Sequence, residues 1–264
     1  MNKCTLILVS LSVCVAAPAF ASDQPSEQQL KQANNPLADM RAFNVQNYYM
    51  PDLLGFSDAT ANTAWLRYVH PFGRWITRTS LPLKHVPTAV DAYESGLGNL
   101  NLFAAYLVTP PDKGVQFGVG PLAALPTATD DALGADKWDL GAAAVYFNLK
   151  SPRLQYGGLI TYQASVAGDD DLPDDSLMVL QPFAMWQLGK GTYLRSAPIW
   201  AFDFESDSYL VPIGLGIGKI VKVGNTVFNI FVEPQFTVLS KGNGVPALQL
   251  FTGLNMQFTP KQKN

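Results

Sequence analysis

Cysteine, histidine and charge are all scarce in this sequence of 264 residues, which contains two cysteines, two histidines and only 15% charged residues. Soluble domains carry about 25% charged residues, so this chain is poor in charge for a soluble domain. The formal net charge of -3 provides no basic patch for a phosphate backbone, which excludes DNA or RNA as a partner. A hydrophobic fraction of 48% excludes a disordered chain.

Both cysteines lie in a predicted export signal. Lys3 supplies a positive charge, residues 6–17 form an apolar core, and residues 19–21 form a small-x-small cleavage site. Because Cys4 and Cys14 precede that site, the mature chain contains no cysteine and no disulfide framework. We therefore predict a protein that leaves the cytoplasm.

Long apolar runs are also missing, since no segment after the signal has the roughly 18 consecutive apolar residues of a membrane helix. Alternation with a period of two residues is present instead. In the clearest run, Phe228, Ile230 and Val232 alternate with Asn229 and Glu233, which predicts a strand with one apolar and one polar face. The pattern predicts about twelve strands: 41–51, 60–70, 75–86, 97–109, 115–127, 137–149, 154–167, 176–188, 193–205, 209–221, 226–240 and 247–258. The runs 60–70 and 176–188 alternate poorly, so their faces are left unassigned.

The links between these strands alternate between short turns and longer, more acidic loops, as in outer-membrane barrels. A soluble sandwich also alternates, but its exposed faces carry many full charges, whereas here they carry mainly amides, hydroxyls and glycine. Trp75, Trp138 and Trp186 lie near strand ends, where an aromatic girdle is expected. We therefore predict an all-β fold, a closed antiparallel transmembrane β-barrel of about 12 strands in the outer membrane.

The predicted organisation has four parts. These are a signal peptide at 1–21, a periplasmic segment or plug at 22–40, the barrel at 41–258, and a C-terminal tail at 259–264. Twelve strands enclose less space than the 16 to 18 of a porin, so a narrow lumen is expected. The expected partners are outer-membrane lipid and lipopolysaccharide, the barrel assembly machinery and a small-molecule solute, with no cofactor.

Several stretches resemble a known family of Gram-negative outer-membrane proteins. They are Asn35-Pro36-Leu37-Ala38-Asp39, Trp65-Leu66-Arg67-Tyr68, residues 126–134, residues 189–195, residues 211–218 and Glu233-Pro234-Gln235-Phe236-Thr237-Val238. The family is grouped with the MetA pathway of phenol degradation, and some members are labelled neuromedin U. The resemblance covers nearly all of the mature chain and implies a barrel, loosely similar to hydrocarbon and fatty-acid channels, that admits small organic molecules.

Charged residues within the strands are candidates for the lumen, because a charge that avoids lipid must face inward. Strand parity predicts an inward orientation for Arg78, Asp139, Arg195, Asp203, Glu205 and Glu233. Such charges either set the selectivity of a pore or pair with one another and brace the wall, with Arg78 or Arg195 joined to Asp139 or Glu233. Both interpretations stay open at this point.

The sequence contains few of the residues that form enzyme active sites. His70 and His85 occur in no metal-binding or catalytic spacing, and no mature cysteine is present, so a non-enzymatic protein is expected. An acidic loop provides only weak candidates for Ca²⁺ ligands, without the spacing of an EF-hand, and is read as a solvated loop. These candidates are Asp169, Asp170, Asp171, Asp174 and Asp175.

Three functions are compatible with the predicted barrel. The first is a passive channel or transporter for small organic solutes, including aromatic or apolar ones. The second is an occluded structural or adhesive barrel, which a lumen packed with arginine-carboxylate pairs would favour. The third and least favoured is a membrane hydrolase, which would need an outward-facing serine beside His70 or His85.

Overall fold

The computed structural model describes residues 24–56, 58–89, 92–110 and 113–258. The predicted signal peptide and C-terminal tail lie outside these ranges. Within them, no helix is long and apolar enough to cross a membrane.

One antiparallel sheet of fifteen strands contains nearly all of the regular structure in the described chain. The elements are α1 (Glu27–Gln32), β1 (Arg41–Leu53), β2 (Ala61–Phe72), β3 (Trp75–Ala89), β4 (Ala92–Leu97), β5 (Leu100–Leu107), β6 (Val115–Leu125), a 3-10 helix (Asp131–Leu133), β7 (Lys137–Asn148), β8 (Leu154–Gly168), β9 (Ser176–Gly189), β10 (Thr192–Ser196), β11 (Trp200–Asp203), β12 (Ser208–Gly214), β13 (Gly216–Val223), β14 (Thr226–Lys241) and β15 (Pro246–Phe258).

The sheet closes into a barrel because β1 pairs with β15 on one side and β2 on the other. Three positions in the wall are each filled by two consecutive segments: β4 with β5, β10 with β11, and β12 with β13. The wall therefore has twelve positions, and the prediction of a closed antiparallel barrel of about 12 strands is confirmed. Closure pairs the backbone groups of what would otherwise be edge strands, which a lipid environment requires.

The two faces of the wall differ as the alternation predicts. Large apolar side chains point outward, and Trp138 and Trp186 remain 47% and 54% exposed near opposite strand ends. Inward-facing amides such as Gln155 and Gln235 are fully buried. The exposed apolar belt with aromatic residues at its borders suits lipid contact.

One predicted outer loop, 87–96, is mostly strand in the structure. The β3 strand continues to Ala89, and β4 returns beside it from Ala92. The His85 and Tyr93 rings stack with centroids 4.7 Å apart. Aromatic pairs of this kind stabilise adjacent strands, so the hairpin extends beyond the bounds that alternation alone indicates.

Candidate functional site in the barrel lumen

The N-terminal segment enters the lumen at the end of the barrel that carries the short turns, which is the periplasmic end in proteins of this architecture. Ser26 caps α1 through a capping box with Gln29. Beyond the helix, Leu37 is fully buried among inward-facing residues that include Ile76 and Ala105. The segment therefore packs against the inside of the wall.

Amide side chains of the wall hold this segment by hydrogen bonds. Asn229 Nδ2 donates to the Ala33 carbonyl at 3.1 Å, and Gln257 Nε2 donates to the Gln32 carbonyl at 3.1 Å. On the opposite side, Gln155 Nε2 donates to the Lys31 carbonyl at 3.2 Å. The segment carries no strand, and these amides satisfy backbone groups that would otherwise be buried without partners.

A cavity of about 170 Å³ lies between this segment and the barrel wall. It contains three inward-facing arginines, Arg67, Arg78 and Arg195, together with amides and aromatic rings. Phe103 and Phe251 are among the aromatic residues of its lining. The site therefore combines cationic and apolar surface, which suits an amphipathic ligand.

Arg195 is neutralised by Glu233. Its Nε donates to Glu233 Oε2 at 2.7 Å, and both side chains are buried. Glu233 Oε1 also accepts hydrogen bonds at 2.8 Å from the Ala197 backbone N–H and from Gln235 Nε2. Gln249 Nε2 in turn donates to Gln235 Oε1 at 2.6 Å. This is one of the pairings that the sequence left open, and it braces the wall between β10 and β14.

Aromatic rings surround the same guanidinium. Arg195 Cζ lies 3.5 Å from the ring centroid of Phe231 and 5.0 Å from that of Phe251. The rings of Tyr48 and Phe251 stack at 4.2 Å. The backbone of Gly253 makes room for Phe231, since a Cβ built there would lie 2.3 Å from the ring. Cation-π contacts of this kind favour a desolvated guanidinium.

Arg67 and Arg78 have no such neutralisation. Arg67 Nη1 donates to Gln46 Oε1, whose Nε2 donates to Asn255 Oδ1 at 3.0 Å. Arg78 lies with its Cζ 5.2 Å from the Phe103 ring centroid. In the part of the chain that the structure describes, neither arginine forms an ion pair. The alternative in which Arg78 pairs with Asp139 or Glu233 is not found among the described residues: Glu233 pairs with Arg195, and Asp139 accepts hydrogen bonds from Gln163 and Ser165.

Asp139 belongs to a separate polar cluster toward the other end of the barrel. Its carboxylate accepts hydrogen bonds from Gln163 Nε2 at 3.0 Å and Ser165 Oγ at 2.9 Å. The Asp175 backbone N–H donates to Ser165 Oγ at 2.8 Å. Burial, reinforced by the nearby Asp139 carboxylate, raises the pKa of Asp175 to about 6.

Two other predicted lumen residues occur where β11 ends. The Asp203 carboxylate accepts hydrogen bonds from the backbone of Glu205 and Ser206, at 3.0 and 3.2 Å, and from Ser206 Oγ at 2.7 Å. Asp203 thus shapes the turn that follows β11. The inward orientation predicted for Glu205 is wrong, because the strand ends at Asp203 and Glu205 lies in that exposed turn.

The acidic side chains of residues 169–175 are not grouped as metal ligands in the structure. Across the described ranges, no group of three histidine, cysteine, aspartate or glutamate residues is arranged to hold a metal ion. Asp174 pairs instead with Lys137 at 2.9 Å, and Asp169 Oδ1 accepts from the Asp171 backbone N–H at 2.9 Å. The weak Ca²⁺ candidates of this loop therefore turn toward different neighbours.

The histidines also give no hydrolase arrangement. His85 Nδ1 lies 2.7 Å from Ser95 Oγ, so a serine does accompany one histidine. Among the hydrogen bonds of the described residues, none joins the other imidazole nitrogen of His85 to a carboxylate. A serine nucleophile needs a base that is itself oriented by a third group, and this pair lacks that third group.

Sequence reasoning missed Arg67 because the run 60–70 alternates poorly. In the structure the apolar Trp65 faces inward beside Arg67, while Leu66 and Tyr68 face outward, so both faces carry apolar residues. A usable signal was present: Arg67 is the sole full charge in that run, and a charge in a lipid-crossing strand must face the lumen.

No family model and no curated protein matches the chain. Among solved structures it is similar to the COG4313 outer membrane channel from Pseudomonas putida F1, with a TM-score of 0.64, 13% identity, and coverage of 92% of this chain and 99% of that chain. It is also similar to the NanC porin, with a TM-score of 0.55, 9% identity, and coverage of 83% and 100%. At these identities the likeness shows the fold alone, which is a closed antiparallel β-barrel like those of these two outer-membrane structures.

Proposed function

We propose that this barrel is a passive channel for small organic solutes, narrowed by its own N-terminal segment. The observation that carries the proposal is the cavity of about 170 Å³ left inside the wall, beside residues 33–38. A barrel built only as a brace has no need for unfilled space with polar and aromatic walls. The resemblance to the MetA group supports aromatic solutes as the cargo.

The same proposal assigns residues 24–40 the role of a plug. Leu37 supplies a buried apolar anchor, and Gln155, Asn229 and Gln257 hold the backbone of the segment at 3.1 to 3.2 Å. The segment therefore restricts the periplasmic end of the lumen. Because hydrogen bonds to neutral amides contribute only about 1 kcal/mol each, this packing is weak enough to be displaced without unfolding the wall.

Conductance in planar bilayers and solute-driven swelling of liposomes test both parts of the proposal. We expect the purified wild-type barrel to pass ions and small neutral sugars. Deletion of residues 27–38 should raise the single-channel conductance several-fold, because the lumen then lacks its internal obstruction. A matched variant replaces the same residues by a Gly-Ser linker of equal length, and it should behave like the deletion if docking causes the obstruction.

One result would favour the occluded structural barrel instead. That result is a wild-type barrel that passes neither ions nor sugars, with no gain after deletion of residues 27–38. Heat-modifiable migration in gel electrophoresis confirms in each case that the barrel is folded. If the wild type conducts and the deletion variant has the same conductance, the role of the segment as a plug is refuted and the proposed channel function stands.

A further inference from the structure

The lumen contains two partly buried arginines that the protein itself does not neutralise. The Nε atoms of Arg67 and Arg78 are both buried and have no hydrogen-bond partner in the described part of the chain. The ion pairs found there join other residues, including Arg195 with Glu233. Withdrawing a cation from water without a counter-charge is costly even when the side chain is only partly buried, so a folded chain that retains two such cations has a use for their charge.

The strand register places these two arginines side by side. Arg78 on β3 is paired with Val69 on β2, and Arg67 lies two residues from Val69 on the same inward face. Residues in this diagonal relation lie about 7–8 Å apart between Cα atoms, within reach of long side chains. Both arginines line the same cavity.

Neighbouring amides complete a polar wall around the pair. Gln46 and Asn255 form a relay that fixes the Arg67 guanidinium on one side. Asn44 is paired with Arg67 in the register, and its Oδ1 is buried without a partner. Asn44 lines the same cavity. The unused donors beside the cavity are therefore the Nε–H groups of the two arginines, whereas the unused Oδ1 of Asn44 is an acceptor.

One part of the cavity wall is apolar. Phe103 lies under Arg78, and Val145, Leu159 and Phe183 line the wall further round. A cavity of about 150 Å³ accepts a benzene-sized molecule, and this one has about 170 Å³. The space therefore fits a single ring or a chain of similar volume, with one end against the arginines.

We propose that Arg67 and Arg78 bind the carboxylate of a small organic anion whose compact apolar body, such as an aromatic ring, fills the remaining cavity. Guanidinium groups match carboxylates in geometry and form charge-assisted hydrogen bonds. Arg195 is not part of this site, because Glu233 already neutralises it. The inference deepens the proposed channel function, on which it rests, by giving the solute an anionic end.

Calorimetric titration of the purified full-length barrel in nanodiscs tests the site, with benzoate as the probe. Benzyl alcohol provides a neutral probe of similar shape, and inorganic phosphate provides an anion without an apolar body. We expect benzoate to bind more tightly than either. Arg67→Gln and Arg78→Gln should each weaken benzoate binding about tenfold, because each removes a charge-assisted contact, and should leave binding of benzyl alcohol unchanged.

Arg41→Gln is the matched control, because Arg41 is an exposed arginine at the start of β1. It should bind benzoate as the wild type does. Equal affinity for benzoate and benzyl alcohol, or for benzoate and phosphate, would overturn the proposal. So would full benzoate affinity in both lumen variants. Since the removed groups have no ion-pair partner, folded variants are expected, and heat-modifiable migration verifies this.

The swelling assay separates failure of this site from failure of the channel. Benzoate binding that depends on Arg67 and Arg78, in a barrel that passes no sugar, would refute the channel and support the site. Passage of neutral sugars without benzoate binding would support the channel and refute the site.

Discussion

Arginine side chains on the two sides of the lumen have different surroundings. On the side of β10 and β14, Arg195 is enclosed by Glu233 and two aromatic rings, and every oxygen of that carboxylate has a donor. On the side of β2 and β3, Arg67 and Arg78 face a cavity without a carboxylate. The difference separates an arginine that holds the wall together from arginines whose charge is left for something else.

The largest expected effect on stability comes from a substitution on the side of β10 and β14, where Arg195 is paired with Glu233. Arg195→Met leaves the fully buried Glu233 without its cation and should lower the free energy of unfolding by about 3–5 kcal/mol. Urea-induced unfolding in lipid vesicles, followed by tryptophan fluorescence, measures this change. The double variant Arg195→Met/Glu233→Gln removes the stranded charge but keeps an acceptor for the Ala197 N–H, so it should regain much of the loss. A double variant as unstable as the single one would show that packing, and not charge, sets the cost.

An intermediate effect is expected where two carboxyls approach each other. The pKa of Asp175 is raised to about 6 by burial and by the neighbouring Asp139 carboxylate; Asp203 adds to the rise and Lys84 opposes it. A pKa above the ordinary aspartate value means that ionisation destabilises the folded state, with a penalty that develops between about pH 4 and pH 6 and persists above.

Asp175→Asn should therefore raise the free energy of unfolding by about 1 kcal/mol at pH 8 and leave it unchanged at pH 4, since the site is partly exposed and screened. Unfolding curves at the two pH values measure the difference. Asp171→Asn, on the exposed part of the same loop, serves as the control and should show no such pH dependence. Equal gains at pH 4 and pH 8 would exclude ionisation as the cause.

The smallest effect on stability is expected on the side of β2 and β3, where Arg67 and Arg78 have no ion pair with another described residue. In buffer without carboxylates, Arg78→Met should keep the free energy of unfolding or raise it by up to about 1 kcal/mol, because no ion pair is lost and one partly buried charge disappears. The same unfolding assay applies, with Arg195→Met as the contrasting variant. A loss above about 2 kcal/mol would mean that Arg78 stabilises the wall and would remove the contrast between the two sides.

Much of the barrel can be predicted from the alternation of apolar and polar residues. How well the alternation predicts the inward face differs between strands for a physical reason. In β14 the inner Asn229, Glu233 and Gln235 alternate with apolar outward residues, so one strand suffices to assign its faces. In β2 the inner Trp65 packs against the Tyr48 cluster, so both faces are apolar and the alternation disappears. Arg67 was missed there although its charge marks the inner face.

The partners of the charges were harder to predict than their orientation. The alternation within each strand predicts that Arg78, Arg195 and Glu233 face inward. It does not predict which strands are neighbours or which residues lie opposite one another. The register does: β10 pairs with β13 and β13 with β14, which brings Arg195 to Glu233 across one intervening strand. Glu205 shows where alternation fails to predict orientation, because the strand has already ended and the chain has turned before this residue.

The sequence by itself determined the wall: a period of two residues, an even number of strands and low charge leave a closed barrel as the structure that hides its backbone from lipid. These are local properties, readable within one strand and its two turns. Only the tertiary structure decided what the lumen contains, because closure of the ring brings together residues far apart in the chain. Residues 33–38 dock against strands more than a hundred residues away, Glu233 neutralises Arg195, and the same closure leaves Arg67 and Arg78 without a counter-charge.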